Sequence, residues 1–406
     1  MRLTHLQTEL RDGVVRRSAR FDWEERPRDP VTLSFSLPSS AELEIADDGN
    51  AFLAAGVLVA MHHGERRLSI DAEICPRLAE GAAMAVEIVR AWHGRVKNPV
   101  AIETPRGFRL PIPRNPGRSA LLFSGGVHAF DALLENREFF PSGHPRRFTA
   151  LIAVEGLDPA GAALSPVRLA RLRAAAGSAG IPVATISANF RELESDLGFV
   201  SRQFFGAALA ATAHALSPSF DGASIAAAWD VSHGVRCGSH AFVDPAFSSG
   251  ALALRHEGLN ATRLEKVSRI AARSWTLENL IVCTDAAAAE GRNHANCGRC
   301  ERCLRTRVEL EALGVSAEGS FPEGAIDAGE LEALHLAFNH DYFWEPLVAP
   351  LEARGRGDLA AAVARLIAEA RRIQAWFDER GWKGRLRGMD RDVLGGFLGR
   401  VLRRSA

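Results

Sequence analysis

The chain of 406 residues carries 49 Lys and Arg and 49 Asp and Glu residues, so its formal net charge at pH 7 is zero. Its 47% hydrophobic and 24% charged content is typical of a globular protein and excludes a disordered or fibrous chain. A balanced charge provides no overall field to attract nucleic acid or an anionic membrane, so we expect neither as a partner.

The N-terminus and the apolar runs argue against export and membrane insertion. Charged residues occur between Met1 and Glu9, where a signal peptide needs a continuous apolar core. The runs Phe52 to Met61 and Phe204 to Leu216 are shorter than the ~20 residues of a membrane-spanning helix. Six cysteines, four of them clustered, suit a reducing compartment better than a disulfide framework. We therefore expect a cytoplasmic protein without a membrane span.

Residues 1–103 are predicted to form a small α+β domain with a single helix. Val31 to Leu37 alternates apolar and polar residues as a half-buried strand does, Ala51 to Met61 is a continuously apolar, strand-like run, and Arg66 to Ala72 indicates another strand. The helix begins at Pro76 and would bury Leu78, Ala82, Ala85, Val89 and Trp92. His62 and His63 lie beside the turn residue Gly64, and we expect them to be surface residues rather than ligands.

A proline-rich segment, residues 104–118, separates this region from the next. Four prolines among its fifteen residues remove backbone donors and fix φ, so neither a helix nor a central strand can continue through it. The segment predicts a linker at a domain boundary.

Residues 119–315 show strands that alternate with helices. The predicted strands are Ser119–Phe123, Phe148–Val154, Val183–Ile186, Ser224–Trp229 and Ala251–Arg255, and the predicted helices are 128–138, 166–177, 199–216 and 261–273. Short apolar strands separated by such helices indicate a doubly wound parallel α/β domain, which binds ligands beyond the carboxyl ends of its strands. The loops after the strands are therefore the candidate site.

The loop after the first of these strands has the composition of an anion site. Ser124, Gly125, Gly126, Val127 and His128 join the strand to a helix. Glycines let the backbone turn tightly and bring its amides close to an anion, and the free N–H groups of the new helix favour negative charge. A simple tight turn is the alternative interpretation of the same residues.

The loops after the third and fourth strands add charged candidates. Arg191, two residues after Asn189, could pair with a phosphate or a substrate carboxylate, or form a surface ion pair with Glu192 or Glu194. The loop after the fourth strand is dense in polar residues, each of which could instead be a turn or capping residue: Asp230, His233, Ser239, His240 and Asp244.

The cysteine cluster has the spacing of a metal site. Cys283, Cys297, Cys300 and Cys303 form a C-x13-C-x2-C-x2-C pattern, which can close a tetrahedral zinc site. With all four positions filled by protein the zinc would be structural. An iron–sulfur cluster and a chance group of reduced thiols are the alternatives. Arg305 and Arg307 follow on the next helix and would either face phosphate or lie on a solvated helix face.

Residues 316–406 are predicted to be helical. Apolar positions recur at helical spacing in two stripes: Leu359, Val363, Leu366, Ile367, Ala370, Ile373 and Phe377, and then Val393, Leu394, Phe397, Leu398 and Val401. We expect these helices to cover the α/β domain.

Residues 119–314 resemble the PP-loop (N-type) ATP pyrophosphatases. A strand followed by Ser124-Gly125-Gly126 is similar to their Ser-Gly-Gly-x-Asp-Ser pyrophosphate loop. The later C…C-G-x-C-x-x-C pattern with an Arg two residues on resembles 7-cyano-7-deazaguanine synthase and its relatives. The resemblance implies an adenine nucleotide alpha-hydrolase-like fold, with ATP, Mg²⁺ and structural Zn²⁺ as ligands.

The resemblance also implies an activity and site residues. In such enzymes a substrate carboxylate attacks the α-phosphorus of ATP, and a nitrogen nucleophile then displaces AMP from the acyl-adenylate. It assigns nucleotide binding to Ser124–His128, Val154 and Asn189, and a role in catalysis to His128, Arg191 and Asp244. We expect a carboxylate substrate, with a peptide or protein suggested by the flanking domains. A homodimer is compatible with this assignment.

The loop departs from the family pattern at two positions. His128 and Ala129 stand where the family has Asp and Ser. Loss of the carboxylate removes an anchor for magnesium or its water shell, and loss of the hydroxyl removes a phosphate donor. An inactive relative that binds a nucleotide or a protein partner is therefore the alternative to a ligase.

Overall fold

Two units make up the fold, one formed by Met1–Asn260 and the other by Ala261–Ala406. A computed structural model describes the chain except for residues 94–98, 158–160, 162, 284–294, 317–318, 378–383, 385, 387 and 391–406. Across the ranges so described, no helix combines the length and the apolar composition that a bilayer span requires.

The first unit contains a mixed sheet of ten strands. They are β1 (Arg2–Arg11), β2 (Val14–Asp22), β3 (Val31–Pro38), β4 (Arg67–Ile70), β5 (Ala101–Glu103), β6 (Ser119–Leu122), β7 (Phe148–Glu155), β8 (Val183–Ala188), β9 (Gly222–Ala226) and β10 (Ala253–Glu257). Across the sheet they follow the order β10-β9-β6-β7-β8-β3-β2-β1-β4-β5.

The half of the sheet from β10 to β8 is parallel throughout. The chain starts in the middle at β6, moves outward through β7 to β8, and then crosses to the other side of β6 for β9 and β10. This is a doubly wound order, with its switch point between β6 and β9. The predicted parallel α/β organisation is confirmed, with β9 and β10 displaced by two residues from their predicted starts.

The other half of the sheet comes from the N-terminal residues. β1 and β2 form an antiparallel hairpin, β2 pairs with β3, and β3 pairs antiparallel with β8 through Phe35 opposite Ala188 and Ser36 opposite Ser187. The sequence predicted β3 and β4 but missed β1, β2 and β5. Segment 104–118 connects β5 to β6, and both strands belong to this one sheet.

The α-helices of at least four residues in the described part of the first unit are α1 (Asn50–His63), α2 (Pro76–His93), α3 (Val127–Phe139), α4 (Pro166–Ala179), α5 (Phe190–Leu193) and α6 (Phe205–Ala215). The short helical turn Leu197–Phe199 and the π-helix Val200–Phe204 precede α6. Helices α1, α2 and α6 share one core with Leu122 and Ile152 of the sheet. Residues that alternate with Leu122 and Ile152 along the strands point to the other face of the sheet. On that face Phe123 contacts Phe130 of α3, with 5.1 Å between the ring centroids.

Helix α1 corrects one sequence prediction. Every residue from Asn50 to Met61 is buried, and the run from Ala51 to Met61 has no polar face, so its sequence shows no helical period. The prediction of a single helix in residues 1–103 is therefore wrong. Burial of each large side chain in this helix contributes about 1.5–3 kcal/mol.

The described part of the second unit is helical. Its helices are α7 (Arg263–Ala271), α8 (Ser274–Glu278), α9 (Glu301–Leu313), α10 (Ala328–Glu332), α11 (Asp341–Trp344), α12 (Val348–Ala353) and α13 (Gly357–Phe377). Leu359, Val363 and Leu366 of α13 are buried, as their spacing predicts. The predicted stripe from Val393 to Val401 lies outside the described residues.

Candidate functional site

The four predicted metal ligands come together at the start of α9. The thiol sulfurs of Cys283, Cys297, Cys300 and Cys303 all lie within 4.8 Å of one another. The Sγ atoms of Cys297 and Cys303 are 3.9 Å apart, as are those of Cys283 and Cys300. A tetrahedron with Zn–S bonds of about 2.3 Å has edges of about 3.8 Å, so four thiolates in this arrangement could hold a zinc ion.

Local geometry supports the same conclusion. Gly298, inside the first Cys-x-x-Cys turn, adopts φ 78°, a left-handed conformation that favours glycine. The backbone N–H of Cys300 donates to Sγ of Cys297 at 3.3 Å, which stabilises negative charge on that sulfur. The turn therefore presents both sulfurs to one point.

The thiols influence one another's ionisation. The hydrogen bond with Cys300 raises the pKa of Cys283 to about 11, and the contacts with Cys283 and Cys300 also raise the pKa of Cys303. Hydrogen bonds from Cys283 and Cys303 instead lower the pKa of Cys300. Metal ligation requires thiolates, so binding of an ion here would release protons.

Asn296 connects the two cysteine-bearing segments and was missed in the sequence. Its side chain is fully buried, and its Oδ1 accepts from the backbone N–H groups of Val282 at 2.8 Å and Cys283 at 3.1 Å. Its Nδ2 donates to the carbonyl oxygens of Leu280 and Ser320, both at 2.8 Å. The one available signal was its position directly before Cys297.

The two arginines after the cysteines support the fold of the second unit. Nη1 of Arg307 donates to the carbonyl oxygen of Gly298 at 3.1 Å, and Nη2 donates to that of Gly324 at 2.6 Å. Arg305 is buried, with its guanidinium 4.5 Å from the ring centroid of Phe343, and burial lowers its pKa to about 10. Neither side chain lies on a solvated helix face.

A buried ion pair joins α7 to α9. Nε of Arg263 donates to Oε1 of Glu309 at 2.8 Å, and Nη2 donates to Oγ1 of Thr306 at 2.9 Å. Glu309 is fully buried, and burial raises the pKa of its carboxyl group. The pair holds the helix that carries Cys303 against its neighbour.

In the first unit, the predicted phosphate loop follows β6 directly. Ser124 is exposed, and Gly125 adopts φ 72°. The N–H of Gly126 donates to Oγ of Ser124 at 3.3 Å, and α3 begins at the buried Val127 without a side-chain cap. His128 is half-buried in the first turn of α3. The turn therefore lies at the end of the central strand, with β9 and β7 on either side.

The other predicted nucleotide-binding residues, Val154 and Asn189, lie at the carboxyl ends of β7 and β8. Val154 is half-buried near the end of β7. Asn189 has its side chain engaged by β3, since Oδ1 accepts from the N–H of Ser34 at 2.7 Å and Nδ2 donates to the carbonyl oxygen of Thr32 at 2.8 Å. Gly156 approaches β8 so closely that a Cβ atom there would lie 1.7 Å from the carbonyl oxygen of Ala188.

The predicted catalytic residues Arg191 and Asp244 have different environments. Nη2 of Arg191 donates to the carbonyl oxygen of Ser195 at 2.6 Å. Asp244 is fully buried and accepts from Oγ of Ser239 at 2.6 Å, while Nδ1 of His256 lies 2.8 Å from it. The N–H of His240 donates to the same carboxylate at 3.2 Å. The structure thus brings Asp244 together with Ser239, His240 and His256.

Comparisons of the chain with protein family models, with curated proteins and with solved structures find no match. A function can therefore be inferred only from the residues and their geometry.

Proposed function

We propose that this protein is an ATP-dependent, AMP-forming ligase similar to 7-cyano-7-deazaguanine synthase. The observation that carries the proposal is the position of Ser124–Val127 at the carboxyl end of β6, next to the switch point between β6 and β9. Doubly wound sheets bind nucleotides in the crevice at such a point. A glycine turn followed by a helix provides backbone N–H groups for phosphate there.

The proposed reaction uses the turn to hold the β- and γ-phosphates of ATP. A carboxylate oxygen of the substrate attacks the α-phosphorus, the bond to pyrophosphate breaks, and an acyl-adenylate forms. A nitrogen nucleophile then attacks the acyl carbon and releases AMP. Positioning of the reactants and stabilisation of the negative charge on pyrophosphate are the protein's contribution, with Mg²⁺ sharing that charge.

We assign a structural role to zinc at the four cysteines. Four sulfur ligands leave no coordination position for water or substrate, and three of the four thiols are buried. Asn296 and Arg307 fix the backbone around the ligands rather than providing groups for chemistry.

The second candidate is a protein that binds a nucleotide without turning it over. The observation in its favour is the loop sequence, in which His128 and Ala129 replace the acid and the hydroxyl of the related enzymes. The full burial of Asp244 also withholds that carboxylate from a ligand in the present arrangement. The ligand would then be a nucleotide alone.

One set of assays separates the candidates. The purified protein is incubated with Mg²⁺, ATP labelled at the α-phosphate and a panel of carboxylates with ammonia, and AMP is measured. ATP at 100 times its dissociation constant should stabilise a binder by about 2.7 kcal/mol, which a thermal melt detects. AMP formation supports the ligase, and a melt shift without AMP supports the nucleotide binder.

A substitution in the loop tests whether the turn is the binding site. Gly126 adopts φ −83° and ψ 170°, which any residue can adopt, so Gly126→Val adds a side chain without backbone strain. We expect it to abolish the ATP-dependent melt shift, while Ser124→Ala, which leaves the backbone amides in place, retains it. In the double variant His128→Asp with Ala129→Ser, the family loop is restored. Absence of any ATP-dependent shift in both the wild type and the double variant would reject both candidates.

A further inference from the structure

The end of α1 places two imidazoles beside a buried carboxylate. His62 and His63 are the last residues of α1, and Gly64 ends the helix in the left-handed conformation at φ 78°. Their side chains are 22% and 18% exposed, and that of Glu194, the residue directly after α5, is 3% exposed. The two histidines thus face Glu194, whereas the sequence predicted surface residues.

The distances in this cluster are close to those of a metal site. The ligand atoms of His62, His63 and Glu194 lie within 4.8 Å of one another. Nε2 of His63 is 2.6 Å from Oε2 of Glu194, and Nε2 of His62 is 3.9 Å from the same oxygen. Nitrogen and oxygen ligands around a tetrahedral Zn²⁺ are about 3.4 Å apart, so both of these histidine–carboxylate distances lie within about 1 Å of the value for a bound ion.

A fourth ligand is within reach. Oδ2 of Asp196 is 3.8 Å from Nε2 of His62. The other oxygen of this carboxylate, Oδ1, accepts from the N–H groups of Gly198 at 2.8 Å and Phe199 at 3.1 Å. These bonds hold the carboxylate in place while its second oxygen lies near His62.

The imidazole rings are positioned by aromatic neighbours. The ring of His62 stacks on Phe199, with 3.9 Å between centroids and 19° between planes. The ring of His63 meets Trp23 edge to face at 4.9 Å. Ligands whose rotamers are fixed in this way lose little conformational entropy when they bind an ion.

The charges near the cluster have both signs. Glu194 and Asp196 provide two carboxylates. Arg28 opposes a cation, since its Nη1 lies 2.7 Å from both Nδ1 and Nε2 of His63 and would have to move away before an ion could bind at Nε2. The Arg28 side chain is exposed and rests on the ring of Trp23, with 4.5 Å between its guanidinium carbon and the ring centroid, so it can turn towards solvent.

We propose that His62, His63 and Glu194, with Asp196 as the fourth ligand, bind a divalent transition-metal ion such as Zn²⁺. Imidazole and carboxylate ligands suit such ions, and the donor set differs from the thiolates of the second unit. The ion would join the end of α1 to the segment that follows α5. This proposal does not depend on the proposed ligase activity.

Cobalt titration of the zinc-loaded, full-length protein, freed of any oligohistidine tag, tests the site. We expect one saturable equivalent of Co²⁺ with weak visible bands and without the intense thiolate-to-cobalt band that exchange at the cysteines would produce. His63→Gln and Glu194→Gln should weaken Co²⁺ binding by about tenfold or more. His144→Gln, at another half-buried histidine, is the matched control and should leave the titration unchanged.

Arg28→Gln tests the site through an expected gain in Co²⁺ affinity, which a loss of folding stability in the variant would not produce. It removes an exposed positive charge beside the ion, so we expect Co²⁺ to bind about threefold or more tightly. Circular dichroism melts confirm that the ligand variants are folded. The proposal is overturned if the folded wild type binds no saturable Co²⁺ outside the cysteines, or if His63→Gln and Glu194→Gln bind it as the wild type does.

Discussion

Replacement of Asn296 by Ala should loosen the cysteine site without removing a cysteine. The Asn296 side chain makes four hydrogen bonds, two to backbone N–H groups and two to backbone carbonyl oxygens, all in a buried setting. At about 0.5–1.5 kcal/mol for each bond, their loss would cost about 2–6 kcal/mol of local stability. The reason is that Ala leaves all four backbone groups buried and without their partner.

Hydrogen exchange measures this loss where it occurs. The amides of Val282 and Cys283 donate to Asn296, so their exchange should accelerate by about 30-fold or more in Asn296→Ala. Zinc transfer to a chromogenic chelator should accelerate as well. Asn279→Ala is the matched control, because Asn279 is also buried but its Nδ2 makes a single hydrogen bond within the described residues, to the carbonyl oxygen of Trp275. If both variants exchange and release zinc at the same rates, Asn296 does not connect the two segments as we infer.

Three further predictions concern single side chains. A thiol-modifying mercurial should release one equivalent of zinc from the wild type and none from Cys300→Ser. Undiminished release from the variant would contradict ligation by Cys300. Burial lowers the pKa of His214 from 6.5 to about 4. Between these pH values protons bind preferentially to the unfolded chain. The free energy of unfolding should therefore fall by up to about 3 kcal/mol as the pH drops from 6.5 to 4. His214→Gln keeps a donor for the carbonyl oxygen of Phe247 and should flatten that pH dependence in urea denaturation, whereas parallel profiles would count against it. Glu309→Gln leaves Arg263 buried without its counter-charge and should cost about 3–5 kcal/mol, while Glu311→Gln, which breaks a half-exposed ion pair, should cost less than about 1 kcal/mol; equal losses would refute the distinction.

The sequence was most informative where the signal was local. The parallel strands and the cysteine cluster could be predicted because hydrophobic runs and ligand spacing lie within short stretches of chain. The β1–β2 hairpin also carried a local signal that was overlooked. Asp12 and Gly13 adopt φ 51° and 74°, the left-handed pair typical of a two-residue hairpin turn with an Asp-Gly sequence.

Other features could not be predicted because they depend on distant pairing. Helix α1 is buried on all sides, and a continuous apolar run does not distinguish a helix from a strand. His63 and Glu194 are 131 residues apart, so nothing near either residue indicates the other. Asp244 looked like a loop carboxylate, but the approach of His256 and Ser239 gives it a buried position.

The junction of β3 with β8 has a consequence for biosynthesis. The ribosome makes β3 long before its partner, since Ser34 and Asn189, which are hydrogen-bonded across the junction, are 155 residues apart. At about 5–20 residues per second, the free edge of β3 would wait about 8–30 s for β8 during translation. An unpaired edge invites intermolecular strand addition, so we expect the nascent chain to need chaperone protection over this interval.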